Sequence, residues 1–110
     1  MKQFDQNILD VIGNTPIIKL KKVATSVASS IYVKLEYLNP GGSIKDRMGV
    51  YLCEQAVKRG DLKPGGTIVE STSGNTGVGI ALFAAINGYK CVFVMADKQS
   101  QEKIDNLKSY

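Results

Sequence analysis

The amino-acid sequence predicts an α/β fold, a three-layer arrangement in which a parallel sheet is flanked by helices. Two observations carry that expectation. Short runs rich in strand formers alternate with segments whose apolar residues recur at helical spacing. Strand-like runs also lead into glycine-bearing loops that open helices, which is the order of a βαβ unit. At 110 residues the chain is long enough for one domain with a modest core.

The elements follow in order. Ile31 to Leu35 (IYVKL) reads as a strand and runs into the loop N-P-G-G-S. A helix is expected from about Asp46 to Arg59, where Val50, Cys53 and Val57 share one face, and Gly60 supplies its left-handed terminator. Pro64-Gly65-Gly66 makes a turn before a short strand, Thr67 to Glu70. Val78, Ala81, Leu82, Ala85 and Ile86 mark a second helix, closed by Asn87-Gly88. Lys90 to Met95 (KCVFVM) is nearly all apolar, as a buried parallel strand should be. A last helix is expected to start near Ser100 and to be still running at Tyr110. No internal repeat, low-complexity segment or linker interrupts the series.

Composition removes several function classes. Fourteen Lys+Arg against ten Asp+Glu gives a net charge of +4, which favours anionic small molecules. The basic residues are scattered except for Lys19, Lys21 and Lys22, which read as a solvated face. No aromatics interleave with them, so no nucleic-acid partner is expected. With no histidine, Ser-His-Asp and Cys-His catalysis, histidine metal sites and histidine proton shuttles are excluded within this chain. Cys53 and Cys91 lie far apart in apolar runs and are expected as buried reduced thiols. No apolar run is long enough for a bilayer, and the start lacks a signal-peptide core. The expectation is a cytoplasmic protein without a membrane partner.

Two loops carry the chemistry. The first, N-P-G-G-S-I-K-D-R (Asn39 to Arg47), places Lys45 directly after a loop of little side-chain bulk and at the start of a helix. The second, S-T-S-G-N-T-G (Ser71 to Gly77), lies between a strand and a helix N-terminus, where open α/β sheets place their ligands. Unpaired N–H groups at a helix start, with hydroxyls beside them, form an anion cradle for a phosphate or carboxylate. The same residues also suit a hydroxyl-rich helix cap, so both readings stay open at this point. The nucleotide-binding pattern G-x-x-x-x-G-K-[ST] is absent. Gly74, Gly77 and Gly79 run in the reverse order of the dinucleotide fingerprint. Glu36, Glu54 and Glu70 stand as singletons, with no metal-ligand spacing, and read as solvated or loop-capping.

A lysine loop and an anion loop at the ends of consecutive strands in one parallel unit have a joint use. In water a lysine amine titrates near about 10.4, so only about one part in 2,500 is free base at pH 7. It becomes an effective nucleophile when desolvated or when stored as an imine on a cofactor aldehyde. Pyridoxal 5'-phosphate offers that aldehyde, and its ring accepts electrons from an amino acid's α-carbon. The anion loop would then hold the substrate carboxylate.

Taken together, N-P-G-G-S-I-K-D-R and S-T-S-G-N-T-G resemble the fold-type II pyridoxal-phosphate enzymes of the cysteine synthase and cystathionine β-synthase family. I-G-N-T-P (Ile12 to Pro16), G-D-L-K-P-G-G-T-I-V-E (Gly60 to Glu70) and G-Y-K-C-V-F-V-M (Gly88 to Met95) resemble it too, in the right order over essentially the whole chain. The resemblance implies that Lys45 is the Schiff-base lysine. It implies that Asn75 bonds the cofactor's ring hydroxyl oxygen, and that Thr72, Ser73 and Thr76, with backbone N–H groups and Asn75 beside them, clasp the substrate carboxylate. Asp46 and Arg47 match the motif and are expected to pair or cap at the helix start.

The implied reaction is β-replacement on serine or an O-activated serine. The released Lys45 amine removes the α-proton, loss of the β-substituent leaves an aminoacrylate, and a thiol or sulfide adds to it. Met95 to Lys103 (MADKQSQEK) leans toward the cystathionine β-synthase branch, with serine and homocysteine as substrates, while N-P-G-G-S is shared with O-acetylserine sulfhydrylases. A threonine or serine dehydratase-like lyase ranks behind both. So does a non-catalytic truncated fragment that binds a partner such as serine acetyltransferase. A homodimer is implied for the full-length protein.

Two departures are expected to matter. Ser71 stands where many relatives have proline. The resemblance also implies a glycine- and threonine-rich cradle for the cofactor phosphate and a residue facing the pyridine nitrogen, and no loop of these 110 residues supplies either. Residues 1–110 are therefore read as the N-terminal part of a larger enzyme. Its second, cofactor-binding domain is absent from this chain, and the chain alone is not expected to be competent.

Overall fold

A computed structural model describes residues 7–72 and 74–110. Seven regular elements follow: β1 (Ile17–Lys19), β2 (Tyr32–Lys34), α1 (Lys45–Arg59), β3 (Thr67–Ser71), α2 (Asn75–Asn87), β4 (Lys90–Val94) and α3 (Gln101–Lys108), with short 3-10 turns at Ile8–Val11, Lys22–Ala24 and Glu36–Leu38. The expected helices and strands are all present within a residue or two at most boundaries. Gly60 and Gly88 close α1 and α2 with φ of 78° and 72°, the left-handed conformation that glycine takes without a Cβ penalty.

β3 and β4 pair in parallel from Thr67 opposite Lys90 to Ser71 opposite Val94, with α2 as their crossover. The α/β class and its parallel unit stand as the sequence predicts. β2 differs, because it pairs antiparallel with β1, Ile17 opposite Lys34, in a separate two-stranded sheet. Only the short 3-10 turn at Lys22–Ala24, too short to carry a parallel crossover, lies between β1 and β2, and Leu20 N–H donates to the Ile31 carbonyl (2.9 Å) to close the hairpin-like pair. The lysine loop is therefore reached from the antiparallel pair. The two chemical loops do not sit on consecutive strands of one sheet.

The core is organised around α2. Residues Gly77 to Ala84 are buried without interruption, so this helix is apolar all round over two turns and central to the domain. One side packs Cys53, Ile80 and Phe83 with Val50, Ile68, Cys91 and Phe93, and the other packs Val78, Leu82 and Leu107 with Leu9 and Met95. The Phe83 and Tyr89 rings stack with centroids 5.6 Å apart. Cys91 is only half-buried, and both cysteines are free thiols.

The sheet side chains alternate. Ile68, Glu70, Cys91 and Phe93 turn toward the helices, whereas Val69, Val92 and Val94 are exposed on the opposite face. Among the described residues, the helices that pack on this sheet lie against the first face. α3 covers Gln101–Lys108, and Ser109 keeps helical backbone angles, with its N–H on the Asp105 carbonyl (3.0 Å) and its hydroxyl on the Asn106 carbonyl (2.6 Å). No helix among the described residues is long and apolar enough to cross a membrane.

The contact that positions everything else is between α1 and α2. A Cβ built on Gly49 would lie 2.6 Å from the Gly79 carbonyl carbon and the Ile80 nitrogen. One built on Gly79 would lie 2.6 Å from the Lys45 carbonyl oxygen. Each helix thus offers a glycine to the backbone of the other, and the two approach closer than any side chain permits.

Candidate active site

Lys45 is the first residue of α1, exposed, with its N–H donating to the Ser43 hydroxyl (3.1 Å). Its carbonyl rests against Gly79 of α2. Asn75 stands four residues before Gly79, on the same helical face and about 6 Å along the axis. The glycine contact therefore sets the Lys45 backbone against α2 about one helical turn along from Asn75. Asn75 is exposed and Thr76 half-buried. A Cβ at Gly42 or at Gly74 would meet no atom within 4 Å, so both loops border open space.

The lysine loop is held from below by a hydrogen-bond hub. Asn39 is buried and saturated. Its amide nitrogen donates to the Glu36 carbonyl (2.7 Å), the Glu36 carboxylate (2.9 Å) and the Ser43 carbonyl (3.1 Å), and its oxygen accepts from Gly13 N–H (2.8 Å). Arg47 grips Glu36 with both arms of its fork, Nε at 2.8 Å and Nη2 at 3.0 Å, and Thr15 Oγ1 donates to the same carboxylate at 2.5 Å. These partners, the Arg47 bonds first, hold the Glu36 carboxyl down to about 2. The I-G-N-T-P segment and the lysine loop are thereby one structure, and Glu36 is its centre rather than a solvated singleton. Arg47 pairs as expected at the helix start. Asp46 does not cap α1: it is fully buried and accepts from Gly41 N–H in the preceding loop.

In the second loop, Thr72 Oγ1 accepts from Gly77 N–H (3.3 Å) and Gly74 N–H (3.4 Å), and its N–H donates to the Val94 carbonyl (3.1 Å). Thr72 takes the capping role the sequence left open, with its hydroxyl proton still available to a ligand. Among the described residues the N–H groups of Asn75 and Thr76 find no acceptor, as the first amides of a helix have none within it. Ser73 lies outside the described residues. A polar depression of ≈ 190 Å³ opens beside Thr72 at the C-terminal ends of β3 and β4, bounded by Ser71, Met95, Ala96 and Gln99. A larger hollow of ≈ 390 Å³ between α2, β4 and α3 is mostly apolar, and none of these loop residues lines it. Among the described residues no cluster of His, Cys, Asp or Glu is placed to hold a metal.

An exposed lysine at the start of α1 and, among the described residues, unpaired first amides of α2 both border open space, an arrangement that suits an amine working beside an anion-binding helix start. These features fit the aldehyde-bearing side of pyridoxal phosphate. The chain belongs to the pyridoxal-phosphate dependent enzyme family, whose model matches residues 8–110. It is 53% identical over 104 residues to a cysteine synthase of Staphylococcus aureus, which covers 94% of this chain and 34% of that protein. It is 52% identical over 103 residues to a cystathionine beta-synthase of Apis mellifera, covering 92% of this chain and 20% of that one. The solved structure of a hydrogen sulfide-producing enzyme from Fusobacterium nucleatum superposes with a TM-score of 0.94 at 40% identity, over 100% of this chain and 36% of that one. The chain thus spans about a third or less of the length of these relatives.

Proposed function

We propose that this chain forms the lysine-bearing, N-terminal part of a pyridoxal-phosphate-dependent enzyme that performs β-replacement on serine or an O-activated serine with a thiol or sulfide. The observation that carries the reading is the Gly49–Gly79 approach, which sets the Lys45 backbone against α2 about one helical turn along from Asn75 and the free amides at the start of α2. Bound pyridoxal phosphate supplies an electron sink for charge developing at the amino acid's α-carbon. The Lys45 Nζ would hold the cofactor and would serve as the base for the α-proton. The Asn75 carboxamide would bond the ring hydroxyl oxygen. The N–H groups of Asn75 and Thr76, with the hydroxyls of Thr72, Ser73 and Thr76, would receive and orient the substrate carboxylate.

The phosphate anchor and a second, cofactor-binding domain belong to the rest of the enzyme, in keeping with the greater length of the relatives. A homodimer, a docked serine acetyltransferase and a cytoplasmic setting are part of the same proposal. The first two rest on the resemblance to cysteine synthases, and two free thiols suit the reducing compartment. The test is an assay of the full-length protein with pyridoxal phosphate, serine or O-acetylserine, and sulfide or homocysteine. Cysteine or cystathionine should form and Lys45→Ala should abolish it. Full turnover by that variant, or α-keto acid as the main product, overturns the reading.

A further inference from the structure

Asp46, the neighbour of Lys45, is fully buried, yet only one of its two carboxyl oxygens has a partner. Oδ2 accepts the N–H of Gly41, five residues back in the lysine loop. Oδ1 faces Gly41 itself, where a Cβ would collide with it and lie 2.7 Å from Val78 Cγ1. The Asp46 Cα is pressed against Gly79, at 3.0 Å from the position of a Cβ there. Its N–H reaches the Ser43 carbonyl at 3.4 Å, next to the Ser43 hydroxyl that takes the Lys45 N–H. The carboxyl therefore sits inside the closed turn made by residues 41 to 46, between the loop and α2.

A buried oxygen without a partner is costly. Simple packing at this position would be served by an apolar side chain. What the carboxyl provides is a second tie across the turn, from α1 to the loop backbone. Lys45 lies between that tie and the Gly79 contact, with its backbone fixed on both sides. The other ties on the loop hold Ser43, through the Asn39 amide and the Lys45 N–H, and Gly42, through the Asn39 carbonyl, whereas Asp46 holds Gly41.

We propose that Asp46 is a positioning residue for Lys45: by binding Gly41 N–H it locks the N-P-G-G-S loop onto the first turn of α1 and sets where the lysine amine is presented. The consequence for cofactor capture rests on the functional reading above, whereas the lock itself does not. The test compares Asp46→Asn and Asp46→Ala with the unaltered full-length protein by two readouts. One is hydrogen exchange at the Gly41 amide. The other is the modification rate of Lys45, measured by peptide mass spectrometry with pyridoxal phosphate plus borohydride and separately with limiting acetic anhydride.

The asparagine keeps an oxygen acceptor but loses the charge-assisted bond, so Gly41 exchange should rise about fivefold in D46N and about thirtyfold in D46A. The rate at which Lys45 is trapped by the cofactor should fall in the same order, with amides of Ile80 to Ala84 unchanged. If D46A proves unfolded by those core amides, D46N against the unaltered protein decides alone. Unchanged Gly41 exchange in D46N, or a freed Gly41 with unchanged Lys45 modification, overturns the proposal. If the unaltered protein takes no cofactor at Lys45 while acetylation still follows the order above, the lock holds and the functional reading fails.

Discussion

Substituting Gly79 with alanine probes the contact on which the site depends. The new Cβ would lie 2.6 Å from the Lys45 carbonyl oxygen, 3.0 Å from the Asp46 Cα and 3.2 Å from the Lys45 carbonyl carbon. All three are backbone atoms, so no side chain can rotate away. The start of α1 has to retreat by about 0.8 Å before the closest of them reaches an ordinary 3.4 Å contact. Overpacking of this kind costs about 1–3 kcal/mol, while alanine in a helix interior returns about 1 kcal/mol over glycine. The net loss of stability is therefore modest, about 0–2 kcal/mol, and the protein should fold. The displacement falls on Lys45, where a misplacement of about 1 Å can lower a rate by about a hundredfold. The assay pairs urea denaturation with kcat/KM for β-replacement in the full-length protein. A stability change of under about 2 kcal/mol with a ten- to hundredfold loss of kcat/KM is expected. Activity within twofold of the unaltered protein would refute the claim that this helix contact places the lysine.

Two further outcomes follow from the same structure. The folded Glu36 carboxyl sits at about 2, below the 4.5 of the free group, so its contribution is complete above pH 4.5 and lost as the pH falls toward 2. Stability measured across that window should drop more steeply in the unaltered protein than in Glu36→Gln, and parallel profiles would contradict the hub. Thr72→Val removes the acceptor for the Gly74 and Gly77 N–H groups and should destabilise by about 0.5–2 kcal/mol, as loss of a helix cap does, while Thr72→Ser keeps the oxygen and most of the stability. Equal thermal midpoints for the valine and serine variants would show that the capping bonds contribute nothing.

Much of the frame was legible because local rules agree with it. Gly60 and Gly88 end helices where the apolar periodicity stops, and the all-apolar KCVFV run is the parallel strand it looks like. β1 was not legible. Three exposed residues, Ile17–Lys19, bury no face and so leave no alternation to read, and their pairing with β2 is a tertiary choice that IYVKL does not encode. The spacing in α2 suggested one apolar stripe, but α1, β3, β4 and α3 close around it and bury Gly77 to Ala84 without a break.

The site divides along the same line. Lys45 and Asn75 stand out because short contiguous motifs surround them. Glu36 gave no signal, since its partners come from positions 15, 39 and 47, and only the folded chain brings them together. The roles of Asp46 and Gly79 were not legible for a different reason. Asp46 is buried on the Gly41 N–H and Gly79 makes room in the depth of the helix contact, which neither residue type nor spacing announces.

The central claim is that Lys45 is the amine that carries the cofactor. Its most direct test is borohydride reduction of the full-length protein with pyridoxal phosphate at a one-to-one ratio, followed by peptide mapping over every lysine. A single pyridoxyl adduct on Lys45, lost on Lys45→Ala without transfer to another lysine, is the predicted result. An adduct spread over surface lysines such as Lys19 and Lys22, or none at Lys45, would contradict it.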